Sequence, residues 1–290
     1  MPGWSTHVCE SEGESCVLVA VTDHRARPGA ATFVVVQGIQ SWIEEFELQR
    51  LGLIARMLGA RLVVVEVPGF GVAGSRVLSG ERRALLAGDF GPLASRMFAA
   101  AAVVLGDEDD HALSFLGYSM GCSVATAMAK VAAAREWTID QLVLVEPVAL
   151  HQWKVRHLVA ATRREDRWIA DYVATNDSVD GAVAPWDRRP GVRPPTRRRV
   201  DLLLLGAALR KGALAGDLRA GVTPRRVVVV HGDRSALSEA AYQPIVTALR
   251  GRGIAAVELT VPGHHAFWHS LAAVEDMTRR LTAVLETPAP

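Results

Sequence analysis

Short runs of β-branched and aliphatic residues recur along the chain, separated by longer stretches whose apolar positions return every three or four residues. The runs at residues 16–21, 32–36, 61–67, 112–117, 141–145, 226–230 and 255–261 predict strands. Helices are predicted over 42–57, 80–105, 120–134, 238–250 and 270–286. Strands that are apolar throughout, rather than alternating, are covered on both faces. The chain therefore reads as α/β: a mostly parallel central sheet with helices on both sides. The first strand precedes a polar turn at Arg27-Pro28-Gly29 and is expected to be an antiparallel hairpin strand at the sheet's edge. Residues 149–220 break the rhythm, with Trp153, Trp168, Tyr172 and Trp186 among arginines and prolines. They are expected to form a helical cap inserted into a core of 1–148 and 221–290, roofing the strands' C-terminal ends where open α/β sheets bind ligands.

Composition narrows this picture. Half of the 290 residues are hydrophobic, enough for a sizeable core. A net charge of +1 supplies no general field for nucleic acid or an acidic membrane, so neither is an expected partner. The three cysteines, Cys9, Cys16 and Cys122, lack metal-ligand spacing and fit a reducing compartment. The polar, acidic start of the chain and the absence of a membrane-length apolar run lead us to expect a cytoplasmic protein.

The chemistry concentrates at Gly117-Tyr118-Ser119-Met120-Gly121, between an apolar strand and an Ala-rich helix. Strand, tight turn, helix is the order of a nucleophile elbow. Glycines on both sides let strand and helix approach closely, and the serine stands at a helix N-terminus, where free N–H groups and the helix dipole favour a developing oxyanion. The bland alternative is a serine that only caps the helix. Cys122 is expected to pack beneath the turn.

On these residues the chain resembles the α/β-hydrolase superfamily, apart from the cap and the first fifteen residues. The stretch Phe33-Val34-Val35-Val36-Gln37-Gly38-Ile39 looks like the family's strand followed by His-Gly, with Gln37 in place of the histidine. The resemblance implies an oxyanion hole made by the Ile39 and Met120 amides. Glu66-Val67-Pro68-Gly69-Phe70-Gly71 is similar to the family's Asp-x-Pro-Gly-x-Gly landmark. The base should follow the last strand, in Val261-Pro262-Gly263-His264-His265-Ala266-Phe267; His265 is preferred and His264 is the alternative. His24, His111, His151, His157 and His231 read as surface or loop, and His269 as the start of a helix. The acid departs from the family: Gly232-Asp233-Arg234-Ser235 puts serine where Gly-x-x-Asp is usual. Two carboxylates compete, Glu146 at the end of the strand predicted over 141–145 and Asp233, with Glu146 preferred.

The segment from 151 to 200 carries eleven Lys/Arg against six Asp/Glu, with Arg188, Arg189, Arg193, Arg197, Arg198 and Arg199 clustered. It reads as a solvated cap surface or as a recognition surface for an acidic or carrier-linked substrate. Trp153, Trp168 and Trp186 are expected to line a substrate pocket or the cap's core, and Gln37 to face the substrate. What the resemblance implies is a serine hydrolase of a carboxylic ester, thioester or lactone, working through an acyl-enzyme on Ser119 with no cofactor or metal. A serine rather than an aspartate argues against dehalogenase and epoxide-hydrolase chemistry. An acyltransferase or macrocycle-forming thioesterase, and a non-hydrolytic cyclase or ligand-binding protein, remain alternatives. The partner is a small-molecule acyl substrate, free or carrier-linked; oligomeric state is not specified.

Overall fold

A computed structural model describes residues 3–11, 15–22, 30–106, 112–183, 196–238 and 242–287. Its centre is an eight-stranded sheet made from β1 (Trp4–Ser11), β2 (Ser15–Thr22), β3 (Thr32–Val36), β4 (Arg61–Val65), β6 (Ala112–Tyr118), β7 (Thr138–Val145), β9 (Arg226–Gly232) and β10 (Ala255–Val261). The spatial order is β1-β2-β4-β3-β6-β7-β9-β10. Pairing is antiparallel for β1 with β2 and β2 with β4, and parallel from β4 onward. A second, two-stranded sheet joins β5 (Phe70–Gly71) to β8 (Thr196–Arg197).

The reason the inner strands are apolar throughout is visible in which core each residue enters. On β3, Val34 and Val36 point into one hydrophobic layer while Phe33 and Val35 point into the other, and β9 divides Val227 and Val229 from Val228 and Val230 in the same way. The first layer is closed by α3 (Gly91–Leu105), α4 (Gly121–Ala133) and α8 (Gln243–Gly251), the second by α1 (Glu45–Leu58) and α9 (Leu271–Glu286). Side chains alternate across the pleat, so a strand between two helical layers has no solvent face to carry polar residues. No helix among the described residues is long and apolar enough to cross a membrane.

Four expectations need adjustment. The N-terminal strand β1 lies at the sheet's edge, where only Cys9 of its described side chains is buried, so no apolar alternation marked it. Its presence moves β2 off the edge, between β1 and β4; the turn at 27–29 lies outside the described residues. The single long helix expected over 80–105 is two, α2 (Ser79–Ala87) and α3, because Gly88 ends the first in a left-handed conformation (φ 91°). Finally, residues 149–220 do not stand apart as one unit. Between β7 and β9 lie α5 (Val155–Ala174), α6 (Arg199–Arg210) and α7 (Leu214–Ala220), yet Leu205, Leu209, Leu214 and Leu218 are buried in the main core. Among the described residues of this segment, α5 and the 3-10 turn after it, Thr175–Ser178, lie over the loops that follow the strands.

The chain leaves β3, crosses to β4 and then returns to the other side of β3 as β6. Loops from adjacent strands diverge at such a reversal and leave a crevice at their C-terminal ends. The elbow sits there, and its glycines are sterically required: a Cβ on Gly121 would lie 2.1 Å from the Val36 carbonyl oxygen, and one on Gly117 2.5 Å from the Cys122 Cα. Backbone cannot yield as a flexible side chain would. Gly121→Ala is therefore expected to cost about 3 kcal/mol or more, measured as a fall in urea midpoint; a change below about 0.5 kcal/mol would contradict this packing.

Candidate active site

Ser119 has φ 55°, the left-handed strain expected of an elbow residue, and its N–H donates to the Val145 carbonyl at 2.9 Å. Neighbouring strands thus fix the turn, and α4 begins at once behind it. Beneath, Cys122 is fully buried with its Sγ 3.2 Å from the Gly117 and Val145 carbonyl oxygens. Burial, then the nearby Glu146 charge, holds this thiol well above its usual pKa, so it packs as a small apolar group.

His265 opens a 3-10 turn (His265–His269) that follows β10. Its Nε2 lies 3.0 Å from Ser119 Oγ, and its Nδ1 lies 2.8 Å from Glu146 Oε2. The carboxylate is an acceptor, so Nδ1 carries the proton and Nε2 is left to accept from the serine hydroxyl. Glu146 ends β7, is wholly buried and also adopts a left-handed backbone, φ 56°. Buried charge is costly unless every lone pair is engaged. Here Gly232 N–H donates to Oε1, and Ser235 Oγ–H donates to Oε2 at 2.6 Å. The strand ends of β6, β7, β9 and β10 are thereby joined in one polar line.

Ser235 was singled out in the sequence only as the residue occupying the family's acid slot. The structure shows that slot filled by a hydroxyl that supports the displaced carboxylate, while its oxygen accepts from Ser238 N–H at 3.1 Å. Asp233 stands outside the line. Its side chain is half exposed beside Arg234, and Oδ1 accepts from Gly263 N–H at 2.8 Å, bracing the turn that carries the histidines. Two residues too early on the loop, it points past the imidazole. His264 is turned the other way, its ring stacked on Trp168 at 4.2 Å and 10°.

Gly38 places the loop after β3 against the elbow, since a Cβ there would sit 3.2 Å from the Ser119 Cβ. Ile39 follows it directly, and Met120 is the N-cap of α4. Gln37, expected to face a substrate, does not: it is 2 % exposed and its Nε2 donates to Glu47 Oε2 at 2.8 Å. The Glu47 carboxylate in turn accepts two bonds from the buried Arg50, at 2.7 and 2.8 Å. An amide in place of the family's histidine thus ties the loop to α1. Trp153 is also withdrawn, buried against Val148 and Leu237 with Nε1 donating to the Val148 carbonyl. Trp168 borders open space; Trp186, with Arg188, Arg189 and Arg193, lies outside the described residues. His231, read as loop or surface, is buried in β9 against Tyr242 and Glu258.

Two supporting groups escaped the sequence reading. Tyr118, the variable residue of the elbow, donates its hydroxyl to the His265 carbonyl at 3.1 Å and stacks on Trp268 at 4.6 Å. From α5, Glu165 accepts from Ala236 N–H at 2.5 Å and the Tyr172 hydroxyl accepts from His264 N–H at 2.8 Å. Aromatic and acidic residues on a helix carry no sequence signal for such long-range contacts. The result is that α5 is pinned to the loops bearing both Ser235 and His265, and Ser119 and His265 are each only 7 % exposed.

No family model matches the chain, and no curated protein matches it in sequence. Solved structures do resemble it. An arylesterase superposes with TM-score 0.57 at 15 % identity, over 98 % of this chain and 84 % of its own. The thioesterase domain from the curacin biosynthetic pathway gives 0.54 at 15 %, over 99 % and 100 %. A hydrolase from Pseudomonas aeruginosa PA01 gives 0.60 at 16 %, over 97 % and 98 %. At such identities the likeness concerns architecture. The chain has the α/β-hydrolase fold.

His269 closes the turn. Burial, then the neighbouring Arg50 and His265, pushes its imidazole from 6.5 down to about 3. The unfolded chain therefore takes up a proton that the folded chain refuses, so this stabilisation is complete above 6.5 and is lost as the pH falls toward 3. The urea midpoint should drop between about pH 7.5 and about pH 5, and His269→Gln should flatten that slope. An unchanged slope in the variant would show that His269 is not the group responsible.

Proposed function

We propose that the protein is a serine hydrolase of carboxylic esters, thioesters or lactones. The observation that carries this reading is the unbroken hydrogen-bonded line from Ser119 Oγ through His265 to Glu146. Ser119 Oγ attacks the carbonyl carbon as its proton passes to His265 Nε2, and Glu146 stabilises the imidazolium that results. The Ile39 and Met120 amides hold the oxyanion. Collapse breaks the bond to the leaving group, which takes the proton from His265; water then enters by the same path and releases the acid. Architectural likeness to proteins named arylesterase and thioesterase supports an acyl substrate, small or carrier-linked, and needs no organic cofactor or metal in these steps. Helix α5 serves as the lid over this site.

A second reading keeps the acyl-enzyme and passes it to an alcohol or amine. It is favoured by the low exposure of Ser119 and His265 beneath α5, which restricts water. Products formed with and without added nucleophile separate the two.

A fluorophosphonate probe should label the protein once, at Ser119, and Ser119→Ala should abolish labelling; an unlabelled native protein would point instead to a ligand-binding role. Among folded variants, Glu146→Gln should lower kcat on the order of 10³-fold. Ser235→Ala should lower it about tenfold, by the loss of one hydrogen bond to a charge. Asp233→Asn should fall by less than about tenfold. Equal rates for the Glu146 and Asp233 variants would overturn the assignment of the acid.

A further inference from the structure

Beside the proposed catalytic histidine, α5 and the turn at 264 border an open cavity of about 350 Å³ lined by the exposed Arg164, Arg167, Trp168 and Asp171 and by the buried His264. Several arginines elsewhere in the fold are engaged. Arg96 is paired with Glu81, Arg82 with Asp201, and Arg226 is spent on carbonyl groups at the end of α9. Arg164 and Arg167 have no hydrogen-bond or ion-pair partner among the described residues, although Asp171 lies one helical turn beyond Arg167. Deeper in, His264 is 6 % exposed, and its buried Nδ1 has no partner. A donor-capable nitrogen left unsatisfied in the interior is a cost that a ligand or water normally offsets.

His264 is held in place by the stack of its ring on Trp168 and by the bond from its backbone N–H to the Tyr172 hydroxyl, so the wall is preorganised. Two guanidiniums against one carboxylate, over an aromatic floor and a histidine, form a receptor for oxyanions. Asp166, the residue preceding Arg167, is close enough to His265 for the imidazole to lower its pKa against the larger upward pull of burial. The same helix therefore serves both the cavity and the catalytic base.

We propose that this cavity is an anion subsite that selects acyl substrates bearing a phosphate or carboxylate group near the scissile carbonyl. The proposal rests on the hydrolase reading for its role in turnover, whereas binding of the anion can be measured without catalysis. Hexyl phosphate, heptanoate and hexanol share a hexyl chain and differ in charge, and calorimetric titration of the native protein compares them. At least one of the two anions should bind about tenfold more tightly than the alcohol, and Arg164→Gln/Arg167→Gln should remove that advantage. Whichever anion binds better identifies the oxyacid as phosphate or carboxylate. Arg163→Gln, on the exposed side of the same helix and away from the cavity, serves as a control and should keep the preference.

In turnover, the ratio of kcat/KM for mono-p-nitrophenyl glutarate to that for p-nitrophenyl butyrate should fall about tenfold in the double variant. Equal binding of the three probes, or an advantage that survives the double substitution, overturns the subsite. Anion binding that is lost in the double variant, in a protein that hydrolyses neither ester and takes no fluorophosphonate label, leaves the subsite standing and removes the hydrolase reading.

Discussion

A fully buried carboxylate governs this structure. Glu146 cannot be charged inside the fold unless its oxygens are occupied, and the groups that occupy them come from three separate places: the backbone at the end of β9, the Ser235 hydroxyl and the His265 imidazole. Satisfying one charge therefore brings β7, the loop after β9 and the turn after β10 together. That convergence also points His265 Nε2 at Ser119. Desolvation makes the requirement strict, because an unmatched charge in a low-dielectric interior costs several kcal/mol, and a site built this way cannot loosen in one part alone.

Around this centre the supports are arranged in pairs. Tyr118 fixes the His265 backbone from below, while Asp233 fixes Gly263 from the flank. Gln37 anchors the loop after β3 to Glu47 and Arg50, and Arg50 lies in turn over the Phe46 and Trp268 rings. α1 and the turn after β10 thus meet on one side of the sheet. From above, α5 is attached to the same loops through Glu165 and Tyr172, so this helix and His265 share their anchorage. Motion of α5 would disturb the loops beneath it, including the turn that carries His265.

The family's usual acid position shows how such a site can change without losing its form. Ser235 stands where an aspartate is common, and Glu146 reaches the histidine from the neighbouring strand. Both positions lie at strand ends beside one imidazole, so a carboxylate at either can accept from Nδ1. What must be kept is a carboxylate at that nitrogen and a donor for its remaining lone pairs, rather than a particular place in the chain.

Much of this was legible in the amino-acid sequence, because local rules govern it. Apolar runs of strand length identified the parallel sheet, and two glycines flanking a serine between strand and helix identified the elbow. The edge strand β1 was invisible since its exposed side chains carry no apolar alternation, and the break at Gly88, although Gly91 and Pro92 follow it, was bridged in the reading by apolar residues on both sides. The polar contacts were less accessible. Neighbouring His264 and His265 are the same residue type on one turn, and only the direction of each ring separates a partner of Ser119 from a partner of Trp168. Glu146 and Asp233 were likewise indistinguishable by type, and Gln37 by position, until burial and distance set their partners. Sequence determined the scaffold and the perch of Ser119 because backbone sterics and hydrophobic period act over a few residues. Tertiary structure decided which side chains meet there, because those contacts join residues up to 146 positions apart and depend on orientations that no local pattern encodes.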